Sequence, residues 1–310
     1  MEMSMTMSSY FIIIISMMVG VAFVTLMEQK ILASSQIRVG PNYSGYLGFL
    51  QPFADAVKLL SKETIGTRVS SMKVYLISPV LSLSLCMFMW AVYPFSEGGL
   101  DLGYGVLFFM CVSGLCTYPL LSAGWASNCK YSMLGSLRAV AQMVSYEVSM
   151  GVVVLSLAWV SGSIMLQDLM EKQALIWNIF MFMPLGYVWF VSSLAETNRT
   201  PYDFAEGESE LVSGFNTEYS SWGFTLIFMS EYVSILLMSM LFCVLFVSSK
   251  LNWWMMIKVM LIVFGWVWAR ASLPRYRYDK LMNLAWKSFL PVSLLLFSYY
   301  LMVGELCYSK

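Results

Sequence analysis

The chain has 310 residues, with 18 Lys and Arg against 18 Asp and Glu, no histidine, 59% hydrophobic and only 12% charged side chains, and a mean hydropathy of +0.71. Soluble domains carry about 25% charged residues, so this is the composition of an integral membrane protein; zero net charge says nothing about nucleic acid, and with no basic arm or zinc-finger spacing no nucleic-acid partner is expected. The six cysteines, Cys86, Cys111, Cys116, Cys129, Cys243 and Cys307, form no CxxC, which leaves iron–sulfur, haem and His-based zinc centres and a disulfide framework without ligands and assigns any redox chemistry to a partner or a diffusible substrate.

Hydropathy predicts an all-α polytopic protein, one membrane domain over 1–310, with eight transmembrane helices at roughly 10–33, 73–93, 104–123, 138–162, 175–194, 219–247, 252–269 and 287–307. Each is about long enough to cross a ~30 Å hydrocarbon core at ~1.5 Å per residue. No Arg-rich presequence precedes the first span, so no import signal is expected. The 26 methionines fit soft apolar packing or a biased coding system such as an organelle's. Fourteen of the eighteen basic residues fall in or beside the odd-numbered connections (34–72, 124–137, 195–218 and 270–286). The positive-inside rule puts these connections on the cytoplasm-equivalent face and both termini on the other.

The first connection opens with a turn, Arg38-Val39-Gly40-Pro41-Asn42. It continues through an amphipathic segment, 46–62, in which Leu47, Leu50, Phe53, Ala54, Val57 and Leu60 recur at helical spacing. This pattern predicts an additional helix, lying in the membrane interface or packed against other loops. Residues 123–131, small and polar, predict a tight turn. Within the spans stand Glu147, Glu231 and Lys258. A charge at membrane depth costs at least ~2.5 kcal/mol, so each is expected to face the bundle interior and pair. Taken singly they read as a Glu–Lys pair or as snorkelling side chains. Taken with the loop that follows they read as a proton or cation route.

That loop, Ala195 to Phe215, is the most unusual stretch. It sets Glu196, Asp203, Glu206, Glu208 and Glu210 against Arg199 alone. Carboxylates this close, if sheltered from water, share protons instead of all ionising. In a helix after Pro201, Asp203, Glu206 and Glu210 would share a face. A solvated acidic loop is the alternative, but Phe204, Leu211, Val212 and Phe215 among the acids and the Pro and Gly breaks predict a packed, shaped turn. The last odd connection, 270–280, is basic and aromatic. It can complement the acidic loop on the same face, or contact anionic lipid.

Several motifs together resemble one family: Glu28-Gln29-Lys30, Arg38-Val39-Gly40-Pro41-Asn42, Gln51-Pro52-Phe53-Ala54-Asp55 to Lys58, Ala123-Gly124-Trp125 through Lys130-Tyr131, Arg138 to Ser145-Tyr146-Glu147, the whole 195–215 stretch, and Pro274-Arg275-Tyr276-Arg277-Tyr278-Asp279. From about residue 20 to 295 the chain resembles subunit 1 of respiratory complex I, the proton-pumping NADH:ubiquinone oxidoreductase, in its mitochondrial form. The resemblance implies a multi-pass subunit of the mitochondrial inner membrane, with its termini on the intermembrane-space side. Its implied partners are the quinone-site hydrophilic subunits on the matrix side, the antiporter-like membrane subunits, and lipids. Ubiquinone is the implied substrate, with NADH, FMN and iron–sulfur clusters in partner subunits and no cofactor or metal on this chain. The resemblance further implies an essential subunit of the enzyme without a redox centre or catalytic residue of its own. Glu28, Arg38, Arg199 and Arg270 match the quinone tunnel, and Glu147, Glu196, Glu231, Asp203, Glu206, Glu208 and Glu210 match the carboxylate proton path. Gln29 stands where the family usually has Arg, which removes a positive charge from the expected tunnel wall. A stand-alone ion transporter and the membrane subunit of a related hydrogenase-type complex are the alternative readings.

Overall fold

The computed structural model describes residues 2–64, 66, 70–95, 99–100, 102–205, 207 and 212–308. It is all-helical, with no strand among the described residues. The helices are α1 (Glu2–Ser35), α2 (Gln51–Ser61), α3 (Met72–Met89), α4 (Gly105–Leu115), α5 (Thr117–Ala126), α6 (Lys130–Ser161), α7 (Leu166–Glu171), α8 (Asn178–Met181), α9 (Met183–Glu196), α10 (Ser221–Phe242), α11 (Trp253–Ser272), α12 (Tyr278–Leu284) and α13 (Leu290–Tyr308). A π turn, Cys243–Val247, extends α10, and a second, Ala285–Phe289, joins α12 to α13.

Seven helical stretches among the described residues are long and apolar enough to cross a membrane: Ser4–Ser35, Met72–Val92, Gly105–Ala126, Lys130–Ser161, Ser221–Val247, Trp253–Ser272 and Tyr278–Glu305. The segment expected as an eighth span, 175–194, is instead two shorter pieces, α8 and the 14-residue α9. Phe182 breaks the helix at φ −116° and ψ 33°, and Pro184, which cannot donate a backbone N–H, begins α9 in the first turn, where that loss costs nothing. In the third span Pro119 offers no N–H to the carbonyl of Leu115, and α4 and α5 part there. The turn expected over 123–131 is shorter than predicted: helix runs through Ala126 and resumes at Lys130. Arg138 therefore lies inside α6.

The bundle is built around α10 and its π turn, which are mostly buried, whereas most of α1, α11 and α13 is not. These outer helices expose their apolar faces, as helices bathed in hydrocarbon do. The most extensive helix packings are α10 on α3 and α6 on α5, α9 and α13. Small residues set the approach distance, because helices in lipid gain by backbone proximity rather than by the hydrophobic effect. A Cβ on Gly124 of α5 would stand 2.1 Å from Ser136 Oγ of α6. The helix predicted over 46–62 forms as a 3-10 turn, Tyr46–Gly48, followed by α2. None of the α2 residues is buried. It rests against α1 through Phe23, whose ring meets Phe49 and Phe53 edge-on at 6.4 and 6.2 Å.

Candidate functional site

The polar interior is assembled by α1, α6, α10 and α11 with the segment that leaves α9. Glu28 of α1 is buried at 6% exposure and forms an ion pair with Arg270, at the end of α11, through Oε1. Its other oxygen accepts a hydrogen bond from Tyr232 Oη of α10 at 2.6 Å. The Arg199 guanidinium sits 4.4 Å from the centre of the Tyr232 ring, and its Nη2 reaches Glu231 Oε2 at 3.4 Å. Arg270, Glu28, Tyr232, Arg199 and Glu231 thus form one chain of contacts, charge-assisted and largely shielded from solvent. Phenol and guanidinium satisfy carboxylates that would otherwise be costly at this depth.

Two small cavities flank this chain. One, of about 20 Å³, is lined by Glu28, Thr197, Arg199, Tyr232 and Arg270 among apolar side chains of α1 and α11. The other, of about 60 Å³, is lined by Glu196, Glu231, Asn198, Ser230, Ser234, Cys86 and Cys116. Arg199 faces the first and its partner Glu231 the second, so the pair forms part of the wall between them. Glu196 Oε2 and Asn198 Oδ1 are buried without a hydrogen-bond partner among the described residues. Beyond Glu196 comes Glu147 of α6, with which it interacts electrostatically. Ser113 Oγ of α4 donates to Glu147 Oε1 at 3.3 Å. A Cβ on Gly114 would come within 3.1 Å of that same oxygen, so glycine there lets the carboxylate lie close against α4.

Lys258 does not join these acids. Its Nζ donates to Val247 O at 2.8 Å and lies 4.2 Å from the centre of the Trp177 ring. It therefore caps the carbonyl end of the α10 π turn, where a cation is favoured.

Most of the described part of the 195–215 stretch is packed, but Val212, expected to pack with it, is 70% exposed. Phe204, Ala205 and Phe215 are fully buried, and Asp203 is 9% exposed. Gln142 of α6, also fully buried, donates its side-chain amide to Ala195 O and to Tyr202 O, each at 2.7 Å. Phe215 N bonds to Ala205 O, and Ser132 Oγ to Phe215 O. Gly135 of α6 lies so close beneath that a Cβ would meet Gly214 and Phe215 at 3.0 Å. The basic connection docks on top. Arg275 donates to the backbone carbonyl of Asp203 and lies 5.3 Å from the Phe204 ring, and Tyr276 N bonds to Pro201 O. Tyr202 stacks on Tyr276 at 5.5 Å, and burial, with Tyr276 and Tyr187 nearby, pushes its hydroxyl up to about 12. The two connections do meet, and these contacts between them run through carbonyls and rings. Arg277 pairs locally, with Asp279 in the first turn of α12 at 3.0 Å.

Of the residues singled out in the sequence, the structure gathers Glu28, Arg199, Arg270, Glu231, Glu196 and Glu147 into one interior. It thereby merges the expected tunnel set and the expected proton set, which touch at Arg199–Glu231. Asp203 lies in the packed loop beside it. Arg38 is exposed, in the turn after α1. Glu206, Glu208 and Glu210, and with them the expected shared acidic face, lie outside the described residues. Sequence reasoning passed over Tyr232, Ser113 and Gln142. For Tyr232 and Gln142 the signal was a polar side chain in an apolar helix near an acid, one residue from Glu231 and five from Glu147, whereas Ser113, on another helix, gave none.

A family model described as NADH dehydrogenase matches residues 8–301. The chain is 52% identical over 284 residues to NADH-ubiquinone oxidoreductase chain 1 of Aedes aegypti, covering 91% of each chain. It is 48% identical over 294 residues to the protein of that name from Locusta migratoria, covering 94% of each. Against that of Monodelphis domestica it is 46% identical over 293 residues, covering 92% of each. With nearly its whole length matched in this way, the chain belongs to the NADH dehydrogenase family of NADH-ubiquinone oxidoreductase chain 1.

Proposed function

We propose that the chain is the membrane-arm subunit of NADH:ubiquinone oxidoreductase that lines the ubiquinone tunnel and its membrane entrance and begins the carboxylate path coupling quinone reduction to proton translocation. It is a multi-pass protein of the mitochondrial inner membrane and works only with the other subunits of that complex. NADH, FMN and the iron–sulfur clusters are held by those partners, and ubiquinone is the substrate. The names of the relatives favour this reading over a stand-alone transporter or a hydrogenase-type subunit.

The observation that carries the proposal is the unbroken chain Arg270–Glu28–Tyr232–Arg199–Glu231, followed by Glu196 across one small cavity and by Glu147. Reducing a quinone to a quinol consumes two electrons and two protons, so any electron that arrives ahead of its proton leaves negative charge on the headgroup. Guanidinium groups at Arg270 and Arg199 stabilise such charge, and the carboxylates behind them respond by changing their proton occupancy. The two cavities have room for water, not for a headgroup, since ligand sites usually run to about 300–1,000 Å³. The headgroup site is therefore completed by a hydrophilic partner, and this chain supplies its wall. The 46–62 segment beside α1 forms the lipid-side entrance. Its exposed Leu50, Phe53, Val57 and Leu60 suit an interfacial position. A photoreactive quinone with a lipid-like tail should label residues within 20–62 of the assembled complex. Labelling confined to 140–260 would contradict this placement.

A further inference from the structure

We propose that Gln142 is a positioning residue that ties the Glu196–Asp203 segment to α6, so that Glu147 on one side and Glu196 and Asp203 on the other move as one body. The inference rests on the carboxylate path proposed above. Two carbonyl oxygens face the Gln142 amide, Ala195 O and Tyr202 O, both at 2.7 Å, so its nitrogen must point at them and both of its N–H bonds are used. Each acceptor belongs to the residue just before an acid: Ala195 precedes Glu196, and Tyr202 precedes Asp203. One amide thus closes the two ends of an eight-residue stretch, and it does so from a site with no solvent exposure, where a lost partner is not replaced by water. Glu147 stands five residues further along the same helix. Elsewhere the backbone of the segment is held by local bonds, such as Arg199 N to Leu194 O and Tyr202 N to Arg199 O, and near its end by the basic connection, through Tyr276 N to Pro201 O and Arg275 to Asp203 O. Among the described residues, Gln142 is the side chain of α6 whose amide bonds both ends at once.

Gln142→Met keeps the length and volume of the side chain and removes both donors. In purified assembled complex we expect hydrogen–deuterium exchange of the amides in 195–205 to speed up by at least about ten-fold, the size set by the loss of two buried hydrogen bonds. In the same complex, kcat for quinone reduction and protons pumped per NADH should fall, with the quinone KM changed less than two-fold. Unchanged exchange would overturn the proposal, because the segment is then held without Gln142. Reduced assembly with normal exchange and normal turnover per complex would overturn it too, leaving Gln142 as packing only. Faster exchange with normal turnover and pumping would show that Gln142 holds the segment but that the segment is not on the coupling route, which would sink the reading beneath the proposal. If the Met variant does not assemble, Gln142→Glu, which keeps the shape and offers at most one donor, is measured in the same way against the same outcomes.

Discussion

Tyr232→Phe removes one oxygen atom from the centre of the proposed site and leaves the ring beneath Arg199 in place. The hydroxyl donates to Glu28 Oε2 at 2.6 Å, and Glu28 is 6% exposed. A hydrogen bond to a charged group contributes about 1.5–3 kcal/mol, and water cannot readily replace this one. Arg270 still pairs with the other carboxylate oxygen, and with its side chain 33% exposed it can adjust. A loss of about 2 kcal/mol is therefore expected, which corresponds to about 30-fold in a step that needs Glu28 held in this orientation. The assay is kcat/KM for ubiquinone reduction in assembled complex. NADH oxidation by an artificial acceptor that bypasses the quinone serves as the control and should stay normal. A change below two-fold in a fully assembled complex would refute the argument that Glu28 is held for quinone passage.

Gly135→Ala should drive a methyl into the backbone of Gly214 and Phe215, at 3.0 Å from each. Overpacking of this kind costs about 1–3 kcal/mol, so the amount of complex on a native gel and its quinone reductase activity should both fall; normal values for both would mean the loop can move aside freely. The 195–218 loop should face the matrix. An impermeant label applied to intact mitoplasts should miss it, and reaction from the intermembrane-space side would reverse the proposed orientation.

Much of this was legible in the sequence because hydropathy in a membrane protein is written in whole helices. Long apolar runs without charges gave the helical class, and the amphipathic spacing around Phe53 and Val57 gave α2. Helix ends were harder to place. The connection expected over 124–137 ends early: Lys130–Ser136 forms the first two turns of α6, stabilised by packing on α5 that no local pattern reveals. The 175–194 run is apolar apart from Asn178, Ser192 and Ser193, and only Pro184 hints at the break by Phe182. The acids stood out because charge in an apolar chain is conspicuous. Their partners did not, since Tyr232 and Gln142 are ordinary side chains until the fold aims one at Glu28 and the other at two carbonyls. Lys258 shows the converse: its charge marked it as a candidate for the acid path, and the fold uses it to cap a π turn.

The central claim is that the carboxylates of the polar interior couple quinone chemistry to proton movement, and Glu147→Gln tests it most directly. Glutamine keeps the shape and the bond from Ser113 and removes the titration. The measurement is protons pumped per NADH in sealed membranes, with complex abundance and artificial-acceptor NADH oxidation recorded beside it. The account predicts full assembly, normal oxidation by the artificial acceptor, and a lowered pumping ratio together with lowered coupled quinone reduction. A fully assembled Glu147→Gln complex that pumps at the normal ratio would place this acid off the path and leave it a structural partner of Ser113.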